Sequence, residues 1–107
     1  MNTSFEFPKH FPVSGGKRVE LRPPTAAEEL ELLTAAQAPG SAGTAAEVDI
    51  AKRCIVEFDG RPVKDIERDQ VWEHELDGRA RTWIRQWVGS CMGVGEAAPP
   101  FLAPLPG

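Results

Sequence analysis

A chain of 107 residues carrying 10 Gly and 10 Pro has room for one small domain with a modest core. Its formal net charge of −4 argues against general nucleic-acid binding, which needs a basic footprint to release counterions. No run approaches about 18 consecutive apolar residues, so no membrane-spanning helix is expected. The opening MNTSFEFPKH lacks a basic start leading into an apolar stretch, so no signal peptide is expected either, and the cytoplasm is the expected compartment.

The chain opens with two stretches of alternating pattern. SFEF (Ser4 to Phe7) alternates polar and aromatic residues, and KRVELR (Lys17 to Arg22) places Val19 and Leu21 on one side. Both read as half-buried strands. Ser14-Gly15-Gly16 between them reads as a turn, giving a small hairpin or meander. The Gly-Gly-Lys sequence invites a phosphate-loop reading. That chemistry needs a longer Gly-rich run leading into a helix whose first amides face the anion. Here Lys17 leads into a strand, so the turn reading is preferred.

Pro23 and Pro24 end the strand, and Thr25 with Glu28 three residues on forms a capping box. A helix is expected from Thr25 to about Ala36, with Leu30 and Leu33 as its anchors. Ala38 to Ala46 reads as a flexible connection. A second helix is expected from Ala46 to Phe58, burying Val48, Ala51, Ile55 and Phe58, with Asp59-Gly60 breaking it and Arg61-Pro62 making a turn. Asp65 to Leu76 reads as a charged helix anchored by Ile66, Trp72 and Leu76. Arg79 to Met92 carries the clearest stripe: Ala80, Trp83, Ile84, Trp87, Val88 and Cys91 fall within about 140° of arc. Residues 93–107 are rich in Gly, Pro and Ala and read as an extended or disordered tail that also carries Phe101, Leu102 and Leu105. The expected fold is therefore α+β: an N-terminal β-hairpin packed on a small bundle of three or four helices. Residues 1–92 would form the domain and 93–107 a flexible Pro-rich tail.

No catalytic constellation stands out. Cys54 and Cys91 lie far apart in apolar helical contexts and read as buried thiols. His10 and His74 make no ligand set with them, so neither a metal nor a cofactor is expected. Ser90 lacks a nucleophile-elbow context. Glu28, Glu29 and Glu31 are explained by helix capping and solvation. Trp83 and Trp87 can each bury about 150–250 Å². Ile84 and Trp87, nearer the centre of the stripe, are assigned to the core. Trp83, at its edge beside Arg79, is assigned as the more exposed. Trp83 with Arg79, Arg81 and Arg85 forms a candidate partner-binding face, because Trp and Arg are enriched in such faces. Phe101 and Leu102 join them as candidate contacts from the tail.

FPVSGGKRVELRPPTAAEELELLTAA resembles the small tail and baseplate assembly proteins of contractile-tailed phages, including the baseplate hub assembly proteins of T-even phages. Those chains begin with a short aromatic strand, a Ser/Thr-Gly-Lys turn, a strand ending in Arg-Pro, and a helix opened by Thr or Val. The matching residues are Ser14, Gly15, Lys17, Val19, Leu21, Arg22, Pro23, Thr25, Glu28, Glu29 and Leu30. AKRCIVEFDGRPV resembles a segment of related prophage proteins, so the resemblance covers roughly the first sixty residues. It implies a non-enzymatic, chaperone-like assembly factor that holds a tail component, such as the tape measure or a baseplate hub protein, in the host cytoplasm during assembly. It implies no catalytic residue. The alternatives are a structural baseplate or connector subunit that stays in the virion, and a phage-encoded regulator of a host protein or nucleic acid. Neither a membrane nor a nucleic acid is expected as a partner, and a homo-oligomer is left open.

Overall fold

The computed structural model describes residues 2–92; the expected tail, with Phe101 and Leu102, lies outside them. Four strands form one antiparallel sheet in the order β1-β2-β3-β4. Strand β1 (Thr3–Glu6) pairs with β2 (Arg18–Leu21) so that Phe5 faces Val19. Helices α1 (Ala26–Ala36) and α2 (Ala42–Cys54) follow, and then β3 (Ile55–Phe58) pairs with β2 and with the two-residue β4 (Arg61–Pro62). An irregular helical passage comes next: a 3₁₀ turn (Asp65–Glu67), the three-residue α3 (Arg68–Gln70) and a π turn (Val71–Glu75). Helix α4 (Gly78–Cys91) closes the domain. The fold is the expected α+β arrangement, with an N-terminal hairpin packed on helices.

The second expected helix is corrected at both ends. Its last turn, Ile55–Phe58, is a strand, while its start moves back to Ala42, inside the stretch read as a flexible connection. The first error has a clear cause. Val19 faces Phe58 and Leu21 faces Ile55, so the register slips at Glu20/Leu21 and β3 carries an extra residue. Such a bulge lets a strand bury residues three apart, which is the spacing a helix would use. Asp59 and Gly60 both have positive φ (53° and 80°). With Phe58 paired to Arg61, they make a two-residue turn of the kind that matches hairpin twist. The N-terminal extension follows from helix packing: Gly43 rests on Ala36, where an added Cβ would lie 3.2 Å from the Ala36 Cα.

Helix α1 has the expected cap but not the expected inner face. The Glu28 amide donates to Thr25 Oγ1 (3.2 Å) and the Thr25 amide donates to Glu28 Oε1 (2.9 Å). Leu30 and Leu33 are 65% and 51% exposed, whereas Leu32 and Glu28 are buried. The inner face is set by Glu28, which accepts both Arg22 guanidinium nitrogens at 2.8 and 3.0 Å and lies 3.6 Å from Arg53 of α2. Arg53 also pairs with Glu31 at 3.0 Å and with Asp49. Fixing Glu28 inward rotates the apolar pair outward, because at about 100° per residue Leu30 and Leu33 lie roughly 160° and 140° from it round the helix.

The core lies between the sheet and helices α2 and α4: Phe5, Phe7, Val19, Leu21, Ile50, Ile55, Phe58, Trp83, Ile84 and Val88 are all buried. Cys54 belongs to it, and burial pushes its thiol up to about 11, which keeps it protonated and unreactive. Cys91 was expected to be buried as well, but it is exposed, on the last turn of α4 beyond the packed part of the stripe. In the charged passage Trp72, Val71 and Leu76 are buried, while Ile66, expected as an anchor, is 90% exposed because the helix is broken into three short pieces.

Candidate functional site

The connection between β1 and β2 is built against the start of α4. Phe7 extends the hairpin ladder by one pair: its amide donates to the Lys17 carbonyl, and the Gly16 amide donates to the Phe7 carbonyl, both at 3.0 Å. Between them the chain folds tightly. A Cβ at Gly15 would lie 2.5 Å from the Phe11 carbonyl oxygen and 2.6 Å from that of Lys9, so only glycine fits there. The glycine loop does bind an anion, and that anion is internal. Asp77 Oδ2 accepts the Ser14 hydroxyl (2.9 Å), the Ser14 amide (3.2 Å) and the Val13 amide (3.4 Å). Its Oδ1 accepts the Ala80 amide at 2.9 Å, capping α4. Burial pushes the Asp77 carboxyl up, but these donors outweigh it and hold it below its ordinary value. Lys17, the other half of the phosphate-loop resemblance, lies 5.7 Å from the Phe58 ring centroid.

Asp77 thus holds the β1–β2 connection beside the first two turns of α4, and an open cleft of about 520 Å³ runs between them. Pro8, His10 and Phe11 line one wall; Gly78, Arg79, Thr82, Trp83 and Gln86 line the other. The rings are held by other rings. Phe5 meets Trp83 edge-to-face at 4.6 Å and Trp87 at 5.8 Å, Phe7 meets Trp83 at 6.4 Å, and Phe11 stacks on Phe7 at 6.0 Å. His10 stands edge-on to Phe11 at 5.1 Å. Aromatic pairs at these separations add to area burial, so the cleft is preformed by rigid side chains.

The candidate face on α4 is divided by this geometry. Arg79 is exposed at the rim of the cleft. Arg81 turns inward and donates to the carbonyls of Trp72 (3.0 Å) and Leu76 (2.8 Å), which satisfies the end of the irregular helical passage. Arg85 donates through Nε to Glu47 Oε1 at 2.8 Å and ties α4 to α2. The assignment of the two tryptophans is reversed. Trp83 is 1% exposed, and Trp87 is the partly exposed one. The reason is the N-terminal hairpin, whose Phe5 and Phe7 both pack on Trp83 and shift the buried arc of α4 toward it. The sequence reading did not single out Pro8, Phe11 or Asp77 for the site. Asp77 carried a usable signal, since Asp just before a helix is a preferred cap.

A smaller depression of about 350 Å³ lies between α1, α2 and α4, lined by Leu32, Leu33, Ala36 and Gly89 among others. Among the described residues no group of three or more His, Cys, Asp and Glu side chains could hold a metal ion, and no helix is long and apolar enough to cross a membrane. No family model, curated protein or solved structure matches this chain.

Proposed function

We propose that this protein is a phage tail or baseplate assembly factor that acts by binding an apolar segment of a tail component, such as the tape measure or a hub protein, in the cleft between Phe11 and Trp83. The observation that carries the binding reading is the cleft itself: two preformed aromatic walls with a cation, Arg79, at the rim. Concave apolar sites with a few polar groups are the usual form of a recognition site, and Trp with Arg is the usual composition of its energetic centre. The phage context comes from the resemblance of residues 11–36 to tail assembly proteins. Glu28 and Asp77 are engaged in fixing α1, α4 and the loop, and the Cys54 thiol is sealed in the core.

Co-expression with phage tape-measure and baseplate hub proteins tests the proposal. The native protein is expected to capture one of them. Thr82→Trp, which fills the cleft from an exposed position, is expected to abolish capture while leaving the circular dichroism spectrum unchanged. Failure of the native protein to retain any tail component would overturn the proposal. So would undiminished capture by the filled variant.

A further inference from the structure

Taking the cleft as a binding surface, we infer that its occupant in the isolated protein is the chain's own segment Ala98 to Leu105, Ala-Pro-Pro-Phe-Leu-Ala-Pro-Leu. Three observations point there. The first is chemical. Proline fixes φ and removes the amide donor, so this sequence favours the extended polyproline conformation, with outward carbonyls and little entropy left to lose. Surfaces that recognise such segments are grooves lined by aromatic rings with side-chain donors at the rim. The cleft has that composition: Phe11, Trp83 and Pro8 as walls, and Arg79, Thr82 and Gln86 as donors.

The second observation is reach. The described chain stops at Met92, directly after α4. At about 1.5 Å per residue, Thr82 lies roughly 15 Å back along that helix. The nine residues from Gly93 to Phe101 span about 28 Å when extended at about 3.1 Å each, enough to turn round the helix end and set Phe101 against Thr82 and Trp83. Tethering at this distance gives an effective concentration on the order of millimolar, so even a weak contact is populated. The third observation is the comparison with two smaller depressions nearer the end of α4. One is lined by Leu32, Leu33, Ala36 and Gly89 among others, the second by Glu29, Leu32, Leu33 and Met92; neither has an aromatic ring, so both fit a polyproline segment less well.

The test uses the full-length protein. Nuclear Overhauser contacts are expected between the Phe101 ring or Leu102 methyls and the side chains of Phe11, Thr82 and Gln86. In a second experiment a synthetic peptide of residues 96–107 is added to full-length Phe101→Ala/Leu102→Ala protein. It should bind saturably, shifting the Thr82 and Gln86 amides, and should bind the native protein about tenfold or more weakly, because the tethered copy already holds the cleft. The inference is overturned if the contacts are absent, if they fall on Leu33 and Met92 instead, or if the peptide binds both proteins equally. These readouts are independent of client capture. Contacts without capture would overturn the proposed function alone, and capture without contacts would overturn this inference alone.

Discussion

Protonating Glu28 weakens, in one step, its bonds to two Arg22 nitrogens and to the Thr25 amide. The hydrogen bond from Arg22 is the chief cause that lowers this carboxyl from 4.5 to about 2, against the opposing effect of burial. A carboxyl lowered in the folded state stabilises the fold above its unfolded value, and that contribution is lost as pH falls toward the folded value. Stability should therefore drop between about pH 4.5 and pH 2, by at most roughly 3 kcal/mol from this group. Glu28→Gln should lower the urea midpoint at pH 7, and the gap to the native protein should close by pH 2. A gap that stays constant with pH would show that the charge of Glu28 does not matter. Asp77 titrates in the same direction, and its replacement has a second consequence. Asp77→Ala removes the cap of α4, worth about 1 kcal/mol. It also leaves the buried Ser14 hydroxyl without its acceptor, worth a further 1–3 kcal/mol or so. The variant should thus lose clearly more stability than Thr25→Ala, which removes only a cap. Equal losses in urea melts would mean that the loop tether contributes nothing.

Elements were legible where local chemistry and tertiary packing agree. The capping box at Thr25, the Pro-Pro stop and the span of α4 are local signals, and each lies within a residue of where the sequence places it. The α2–β3 border was not legible, because Ala51, Ile55 and Phe58 keep helical spacing and only the bulge opposite β2 lets a strand bury the last two. The inner face of α1 was hidden for a different reason. A Glu is ordinarily solvated, and only two arginines, Arg22 just after β2 and Arg53 of α2, make it an inward residue. On α4 the helical wheel ranked Trp87 above Trp83, since a wheel contains no information about which neighbours are present. With Phe5 and Phe7 packed on it, Trp83→Ala should cost about 3–5 kcal/mol and unfold much of the domain. Trp87→Ala, at a partly exposed position, should leave a folded protein with a lower thermal midpoint. Circular dichroism melts of the two variants decide this, and the opposite order would restore the wheel's ranking.

At the scale of the molecule, two of the eight residues lining the cleft were readable. Arg79 and Trp83 were flagged by residue type, but Pro8, His10 and Phe11 reach the site from nearly seventy residues away, and only the fold brings them there. The same distribution of contacts makes stability uneven. Val19 and Leu21 of β2 and Ile84 and Val88 of α4 are fully buried, and they tie the hairpin to the helix across the whole core. Helix α1 sits at the edge of that core. It buries only Leu32 and Glu28, and Leu30 and Leu33 face solvent. Few buried apolar contacts mean a low cost of local opening, so α1 should exchange its amide hydrogens through partial unfolding, while β2 and α4 exchange only when the whole domain opens. Native-state hydrogen exchange in increasing denaturant should show the α1 amides at a lower free energy with little denaturant dependence, and the amides of Val19, Leu21, Ile84 and Val88 at the global value. Lowering the pH from 7 toward 3 should widen the difference, because the Glu28 ion pairs that hold α1 to Arg22 and Arg53 weaken first. If the α1 amides share the free energy and the denaturant slope of β2 at both pH values, the helix is an integral part of one cooperative unit, and Glu28 anchors it as firmly as a hydrophobic core would.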